Sequence, residues 1–322
     1  MVDVLIVGAG PIGLNCGIVA QQKGVSHLIL DKGVLVNSVF NFPVNMTFFS
    51  TSNLLEIGNV PFVSHGDKPT RREAMEYFRR VREQYKLNVN YFETVTNIEK
   101  IDGVFHVTSS KQTHRARNVI LATGFYGLPY KMNIKGEDLP KVKHYYDEPH
   151  YYIDQKVLVV GAANSACDVA METYHKNAEV TMAIRGDKLS DRVKYWMKPN
   201  IENRIKEGSI KAYFNTTVEE IKEDSVILKT PDGLLTLEND FVLAMTGYRP
   251  DYEFFEKIGL EFQNDEFRTP VMNEDTLETN IPGLYLAGVA AAGLKTSKFF
   301  IENTRIHAGM IMDSIQSVKV DS

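Results

Sequence analysis

The sequence predicts an α/β chain built on two βαβ units of parallel sheet. Three observations carry that expectation. Asp3–Val7, a short apolar run, leads straight into the glycine turn Gly8-Ala9-Gly10-Pro11-Ile12-Gly13, a helical run and a second strand that ends in an acid. A second strand–turn–helix–strand series begins at Lys156, with Gly161-Ala162-Ala163-Asn164-Ser165-Ala166 as its turn. Ala122-Thr123-Gly124 and Met245-Thr246-Gly247 each close a buried strand, so the layout repeats inside the chain.

The first unit has every part of a dinucleotide-binding fingerprint in register. Gly8 permits the tight turn, Gly10 lets backbone approach a pyrophosphate, and Gly13 lets helix and sheet pack closely. The helical run Leu14 to Lys23 offers free N–H groups and a partial positive charge at its N-terminus. Strand His27–Leu30 then ends at Asp31, whose carboxylate can accept hydrogen bonds from ribose hydroxyls.

Residues 32–63 have neither helical nor strand periodicity, yet the stretch from Phe40 to Ser50 is too rich in aromatics for a linker. A loop of this kind either lines a ligand site or packs its own aromatics on the surface. Thr70, with Glu73 three residues on, predicts a capping box and a helix over Arg71 to Tyr85. Strands follow at Leu87–Phe92, Val95–Ile98, Val104–Ser109 and Asn118–Leu121, with a hairpin turn at Asp102-Gly103.

The second unit differs from the first in one informative way. Its turn reads GxAxxA, and its second strand, Ala178–Ile184, ends in Arg185 rather than an acid. An acid there would repel a 2′-phosphate, whereas an arginine pairs with one. Lys188, Arg192 and Lys194 either thicken that positive charge or form an ordinary solvated face. Strands near Ile210–Phe214, Val218–Ile221, Val226–Lys229, Leu234–Leu237 and Asp240–Ala244 come next. Strand Leu284–Ala287, a small-residue run from Gly288 to Gly293 and a helix from Ser297 to the end close the chain. An acid on one unit and a base on the other make FAD in the first and NADPH in the second the economical reading.

Bulk properties narrow the class. A chain of 322 residues has room for about two domains. Its net charge of −5 argues against nucleic acid as a main partner. No apolar run approaches the ~20 residues of a membrane span, and no basic leader precedes the first strand. The two cysteines, Cys16 and Cys167, form neither a disulfide framework nor a metal site. A cytoplasmic globular protein without metal, membrane or nucleic-acid partners is expected.

At this point the residues resemble known families. The glycine turns, Asp31, the two Thr-Gly stretches and the closing segment from Asn280 to Gly293 look like the thioredoxin-reductase-like FAD/NADPH flavoproteins. Within that group, longer motifs resemble the bacillithiol disulfide reductase family. They are Phe40-Asn41-Phe42-Pro43 with Thr47-Phe48-Phe49-Ser50, the run Ile57 to Phe62, Lys68-Pro69, Leu139-Pro140-Lys141-Val142 with His144-Tyr145, and Phe300-Ile301-Glu302-Asn303 with His307. The resemblance implies two Rossmann-like dinucleotide-binding domains, a discontinuous FAD domain at 1–129 and 246–322 with an NADPH domain at 130–245 inserted. It implies an oxidoreductase acting on a low-molecular-weight disulfide, and a homodimer or other homo-oligomer. The flavin would contact Gly8, Gly10, Pro11, Gly13, Asp31, Lys32, Asn45, Thr47, Thr123, Gly124, Gly288 and Val289. The nicotinamide nucleotide would contact Gly161, Asn164, Ser165 and Arg185.

Three departures bear on mechanism. Where thioredoxin reductases carry a redox CxxC, this chain reads His144-Tyr145-Tyr146-Asp147. The closing flavin motif has Gly288-Val289 in place of Gly-Asp. Well-known members of the bacillithiol family have a cysteine at the position of Ile12. Cys16, one helical turn on, is either a displaced counterpart or inert core. His144 and His307 are the candidate proton carriers, or else hydrogen-bonded structural histidines. Tyr145, Tyr146, Tyr151 and Tyr152, with Phe299 and Phe300, either wall a substrate pocket or belong to the core. Competing readings are a ferredoxin- or flavodoxin-NADP reductase, a flavin monooxygenase, and a redox sensor without turnover.

Overall fold

In the computed structural model, residues 1–295 and 297–320 are described. The chain divides into two compact units, one of Met1–Asn41, Asn45–Leu128 and Tyr248–Ser322, the other of Phe42–Val44 and Pro129–Gly247.

The first unit is organised on a parallel sheet in the order Val89–Asn90, His27–Leu30, Val2–Val7, Thr113–Leu121, Leu284–Leu286. Its strands read as unbroken apolar runs because both faces are covered, as in parallel sheets generally. Val4, Leu5 and Ile6 are wholly buried. Thr113–Leu121 joins the parallel and antiparallel parts of one mixed seven-stranded sheet: its first half pairs antiparallel with Val104–Ser109, its second half parallel with Val2–Val7 and Leu284–Leu286. Val104–Ser109 in turn pairs with Val95–Ile101 across the Asp102-Gly103 turn, where both residues have positive φ. The first helix, Pro11–Gln22, starts earlier than Leu14. Proline fits there because its missing N–H belongs to a turn that leaves its donors unbonded anyway.

The helix Arg71–Tyr85 forms as its cap dictates. Thr70 Oγ1 accepts the Glu73 N–H at 3.3 Å, and Glu73 Oε2 accepts the Thr70 N–H at 2.7 Å. Ala74, Tyr77, Phe78 and Val81 make its buried stripe at helical spacing. The strand expected over Leu87–Phe92 shrinks to Val89–Asn90, because Phe92 takes a left-handed conformation with φ +52°. The closing helix is split into Ile301–Thr304 and His307–Val320. Asn15 Nδ2 donates to the Arg305 carbonyl at 2.8 Å between the two pieces. Residues 321–322 of that expected segment, and Thr296 just before it, lie outside the described residues.

The second unit carries its own parallel sheet in the order Lys211–Tyr213, Glu179–Ala183, Lys156–Val160, Phe241–Ala244, Val142–Lys143. Side chains alternate across it. Val157, Val159, Val180 and Met182 pack with the helix Asn164–Tyr174. Leu158, Ala183 and Val242 face the antiparallel strands Thr217–Ile221, Ser225–Thr230 and Gly233–Glu238. Lys141 is buried here, its ammonium donating to the carbonyls of Asn239 at 2.7 Å, Lys222 at 2.9 Å and Glu223 at 3.2 Å. Short helices at Lys198–Lys206 and Tyr252–Lys257 have no counterpart in the sequence expectations.

Candidate functional site

The C-terminal ends of the first unit's central strands bring most of the expected flavin residues together. A Cβ at Gly8 would overlap the Ala122 carbonyl, and one at Gly13 would overlap the Gly8 carbonyl. Gly8 also has φ +111°, so its conformation and its surroundings both demand glycine. Gly10 is different. A Cβ there would meet nothing within 4 Å, which leaves the outer side of the turn open to a ligand backbone. Pro11 opens the helix behind it, and the N–H groups of that first turn are the ones an anion would use.

Asp31 is tied to this turn directly. Its Oδ2 accepts the Ala9 N–H at 2.7 Å and its Oδ1 the Gly33 N–H at 2.8 Å. Burial raises its carboxyl above the usual range, against the pull of those two N–H groups and of Lys32. The acid at the end of the second strand is therefore a stitch within the unit, with lone pairs left for ribose. Lys32 is exposed, and Asn45 and Thr47 lie exposed on the following segment. Thr47 forms an isolated bridge with Thr70.

Thr123 Oγ1 is buried with no hydrogen-bond partner among the described residues. A buried hydroxyl left unmatched costs free energy until water or a ligand takes it. Beside it, a Cβ at Gly124 would sit 3.9 Å from Val289 Cγ2 and 4.0 Å from Ser38 Oγ. Ser38 was invisible in the sequence, being an isolated serine in an irregular stretch. Gly288, with φ +74°, lies against Ile12, whose Cγ1 would be 3.3 Å from a Cβ there. Its N–H donates to Nδ1 of His307 at 3.1 Å. The His307 ring is 4% exposed and meets Phe299 edge-on, centroids 5.2 Å apart. Burial, with the Lys298 charge, pushes its pKa down to about 4. His307 is thus a neutral imidazole at neutral pH. The open Gly10 face, the unmatched Thr123 hydroxyl and the acid at Asp31 together fit an adenine dinucleotide such as FAD.

In the second unit Gly161 has φ +134°, and a Cβ would come within 2.6 Å of the Met245 carbonyl and 3.2 Å of Ala166 Cβ. Alanine at the last position of the turn is already at packing limit. Asn164 uses its side chain within the protein: Nδ2 donates to the Arg192 carbonyl at 2.9 Å and Oδ1 accepts the Lys194 N–H at 2.8 Å. One turn on, Asp168 holds Lys194 Nζ at 2.9 Å. Lys188 pairs with Asp191 at 2.8 Å. Two of the three charges expected to support Arg185 are therefore neutralised. Arg185 and Arg192 are exposed and make no ion pair among the described residues, so they are the cations left for a phosphate. Ser165 is exposed at the second residue of the helix, where its N–H has no partner within the helix. This donor set fits a nicotinamide dinucleotide with a 2′-phosphate.

Among the remaining candidates, both cysteines and two of the tyrosines are buried. Cys16 is wholly buried, and burial pushes its thiol up to about 12. Cys167 is likewise buried and pushed up to about 12, by burial and then by Asp168 and Glu202. Neither offers a thiolate near neutral pH. His144 lies 3.3 Å from Glu137, which itself accepts the Met132 and Asn133 N–H groups at 2.7 Å. Burial and then Lys131 hold its pKa below the ordinary value, against Glu137. Tyr146 and Tyr152 are core, stacked 5.8 Å apart, whereas Tyr151 is exposed.

Comparison with known proteins places the chain in a family. The family described as pyridine nucleotide-disulphide oxidoreductase matches residues 5–288. Bacilliredoxin reductase Bdr of Bacillus subtilis (strain 168) is 43% identical over 313 residues, covering 97% of this chain and 96% of that protein. The structure of bacillithiol disulfide reductase Bdr (YpdA) from Staphylococcus aureus superposes with a TM-score of 0.96 at 41% identity, covering 99% of both chains. Thioredoxin reductase of T. acidophilum shares the fold, with a TM-score of 0.76 at 21% identity over 99% of both chains. The chain belongs to the pyridine nucleotide-disulphide oxidoreductase family and, within it, to the family of bacilliredoxin reductase Bdr.

Proposed function

We propose that the chain is an NADPH-dependent FAD oxidoreductase that reduces a low-molecular-weight disulfide of the bacillithiol type, without a protein dithiol. The observation that carries the last point is the burial of both cysteines, with thiols pushed up to about 12. The first unit holds FAD and the second holds NADPH. FAD held there would supply hydride acceptance from NADPH and two-electron delivery, so that NADPH, one proton and a disulfide would give NADP+ and two thiols.

The chain's own residues have defined parts in this reading. Gly10 and the first turn of the helix Pro11–Gln22 receive the pyrophosphate, Asp31 the ribose, and Thr123, Gly124, Gly288 and Val289 the flavin end. Gly161 and Ser165 receive the second pyrophosphate, while Arg185 with Arg192 selects the 2′-phosphate. Asn164 acts by anchoring the loop that carries Arg192. Ile12 stands where family relatives have cysteine, so no mixed disulfide forms at that position.

No described helix is long and apolar enough to cross a membrane. Free thiols and use of NADPH favour a reducing cytoplasm, and the enzyme works as a homo-oligomer, which light scattering on a sizing column tests. The activity is tested by anaerobic titration with NADPH followed by bacillithiol disulfide, watching the visible flavin band. Bleaching by NADPH and recovery with the disulfide are expected. Bleaching reversed only by ferredoxin, flavodoxin or air would make it a flavin reductase of another kind.

A further inference from the structure

We infer that His307 is a neutral hydrogen-bond donor to the bound flavin, with its proton fixed on Nε2 by the Gly288 N–H. This rests on the reading above that Gly288 lies at the flavin end of the first site. The geometry decides the tautomer. A backbone N–H can only donate, so Nδ1, 3.1 Å from the Gly288 nitrogen, must accept and carries no proton. The neutral ring then bears its proton on Nε2. Among the described residues Nε2 has no partner.

The surroundings hold the ring in that state. Phe299 packs against it edge-on at 5.2 Å, and the helix His307–Val320 starts at this residue, which limits its freedom. The charge that bears on it, Lys298, is a cation and disfavours imidazolium. A ring that stays neutral is a poor proton carrier, and proton delivery was one of the two roles the sequence left open for it. It is suited to stabilising charge that develops on a neighbouring group, since a preorganised donor costs no reorientation when the charge appears. Gly288 ties the two ends of the unit to the same place: Ile12 from the first turn packs on one side of it and His307 from the last helix bonds to its N–H. The residue thus has two separable parts, a seat for Gly288 through Nδ1 and a donor through Nε2.

Two substitutions and one spectroscopic readout separate them. Nitrogen NMR of histidine-labelled protein without flavin should show His307 as the Nε2–H tautomer, and the opposite tautomer would overturn the inference outright. His307→Asn keeps an acceptor near the Nδ1 position and deletes the Nε2 donor, whereas His307→Phe deletes both. The flavin reduction equilibrium is then read against a redox dye. Loss of one hydrogen bond to the reduced flavin should lower the reduced-to-oxidised ratio about tenfold in both variants. A wild-type ratio in His307→Asn, with a change only in His307→Phe, would reduce the residue to a seat for Gly288 and refute the donor. A wild-type protein that binds no FAD would instead bring down the flavin-site reading itself.

Discussion

Replacing Asp31 by alanine tests how the first site is put together. The substitution removes the acceptors of two backbone N–H groups, those of Ala9 at 2.7 Å and Gly33 at 2.8 Å. Ala9 is wholly buried, so its N–H cannot turn to water, and such an orphan costs about 1–3 kcal/mol. Gly33 is half-buried and loses roughly 1 kcal/mol with water as a substitute partner. Against this, removing a carboxylate whose burial is unfavourable returns some of the loss. A net destabilisation of about 2 kcal/mol is expected for the flavin-free protein. Asp31→Asn keeps one acceptor and should lose about half as much. Urea unfolding of the stripped protein, followed by circular dichroism, gives these values. Saturation with FAD at a hundredfold excess over its dissociation constant should add about 2.7 kcal/mol to wild type and less to Asp31→Ala, whose ribose partner is gone. A variant as stable as wild type without FAD would refute the stitch. Equal stabilisation of both by FAD would refute the ribose contact.

Other outcomes follow from the same geometry. Arg185→Ala should raise the KM for NADPH about tenfold while leaving that for NADH nearly unchanged, and steady-state kinetics with both nucleotides would expose an equal effect. Gly10→Ala should fold normally and lose flavin, because its Cβ fills only the open side of the turn, whereas Gly8→Ala should fail to accumulate as folded protein. His307 titrates near 4 when folded against an ordinary 6.5. Its neutral form therefore stabilises the fold fully above pH 6.5, and that contribution is lost as pH falls through about 4. Wild type should lose about 3 kcal/mol more than His307→Asn between pH 7 and pH 4, and parallel stability curves would show that the ring is not held neutral. Cys16→Ala should leave kcat with bacillithiol disulfide unchanged, and a loss of turnover without loss of flavin would restore a role for the thiol.

What could be read from the sequence was what is local. The first turn, the capped helix after Thr70 and the Asp102-Gly103 hairpin are each settled within a few residues by backbone geometry, and each formed as expected. The α/β class and the family followed from strand–turn–helix order and from long motifs. Pairings between distant residues left no such trace. Nothing near His307 announces that it accepts from Gly288, nor does anything near Asn164 announce that it holds the loop at 192–194. The basic residues after Arg185 looked alike in sequence, and only their partners, Asp168 and Asp191, distinguish Lys194 and Lys188 from Arg185 and Arg192, which have no ion pair among the described residues. The long aromatic stretch after Asp31 was legible as ordered, but its short helix at Asn37–Phe40, which carries Ser38, was not.

Lys141 offers a way to watch the second unit open. Its ammonium is enclosed by three carbonyls and its pKa is lowered by burial, despite Asp240, Asp224 and Glu223. In that cage all three N–H bonds are used, so the nitrogen has no free edge for an amine-reactive reagent. Modification there requires that the segment leave the sheet, and its rate measures the population of the opened state. Surface lysines such as Lys188 react regardless and supply the internal reference. One buried amine thus reports local unfolding of the nucleotide unit in the intact enzyme, with no introduced label.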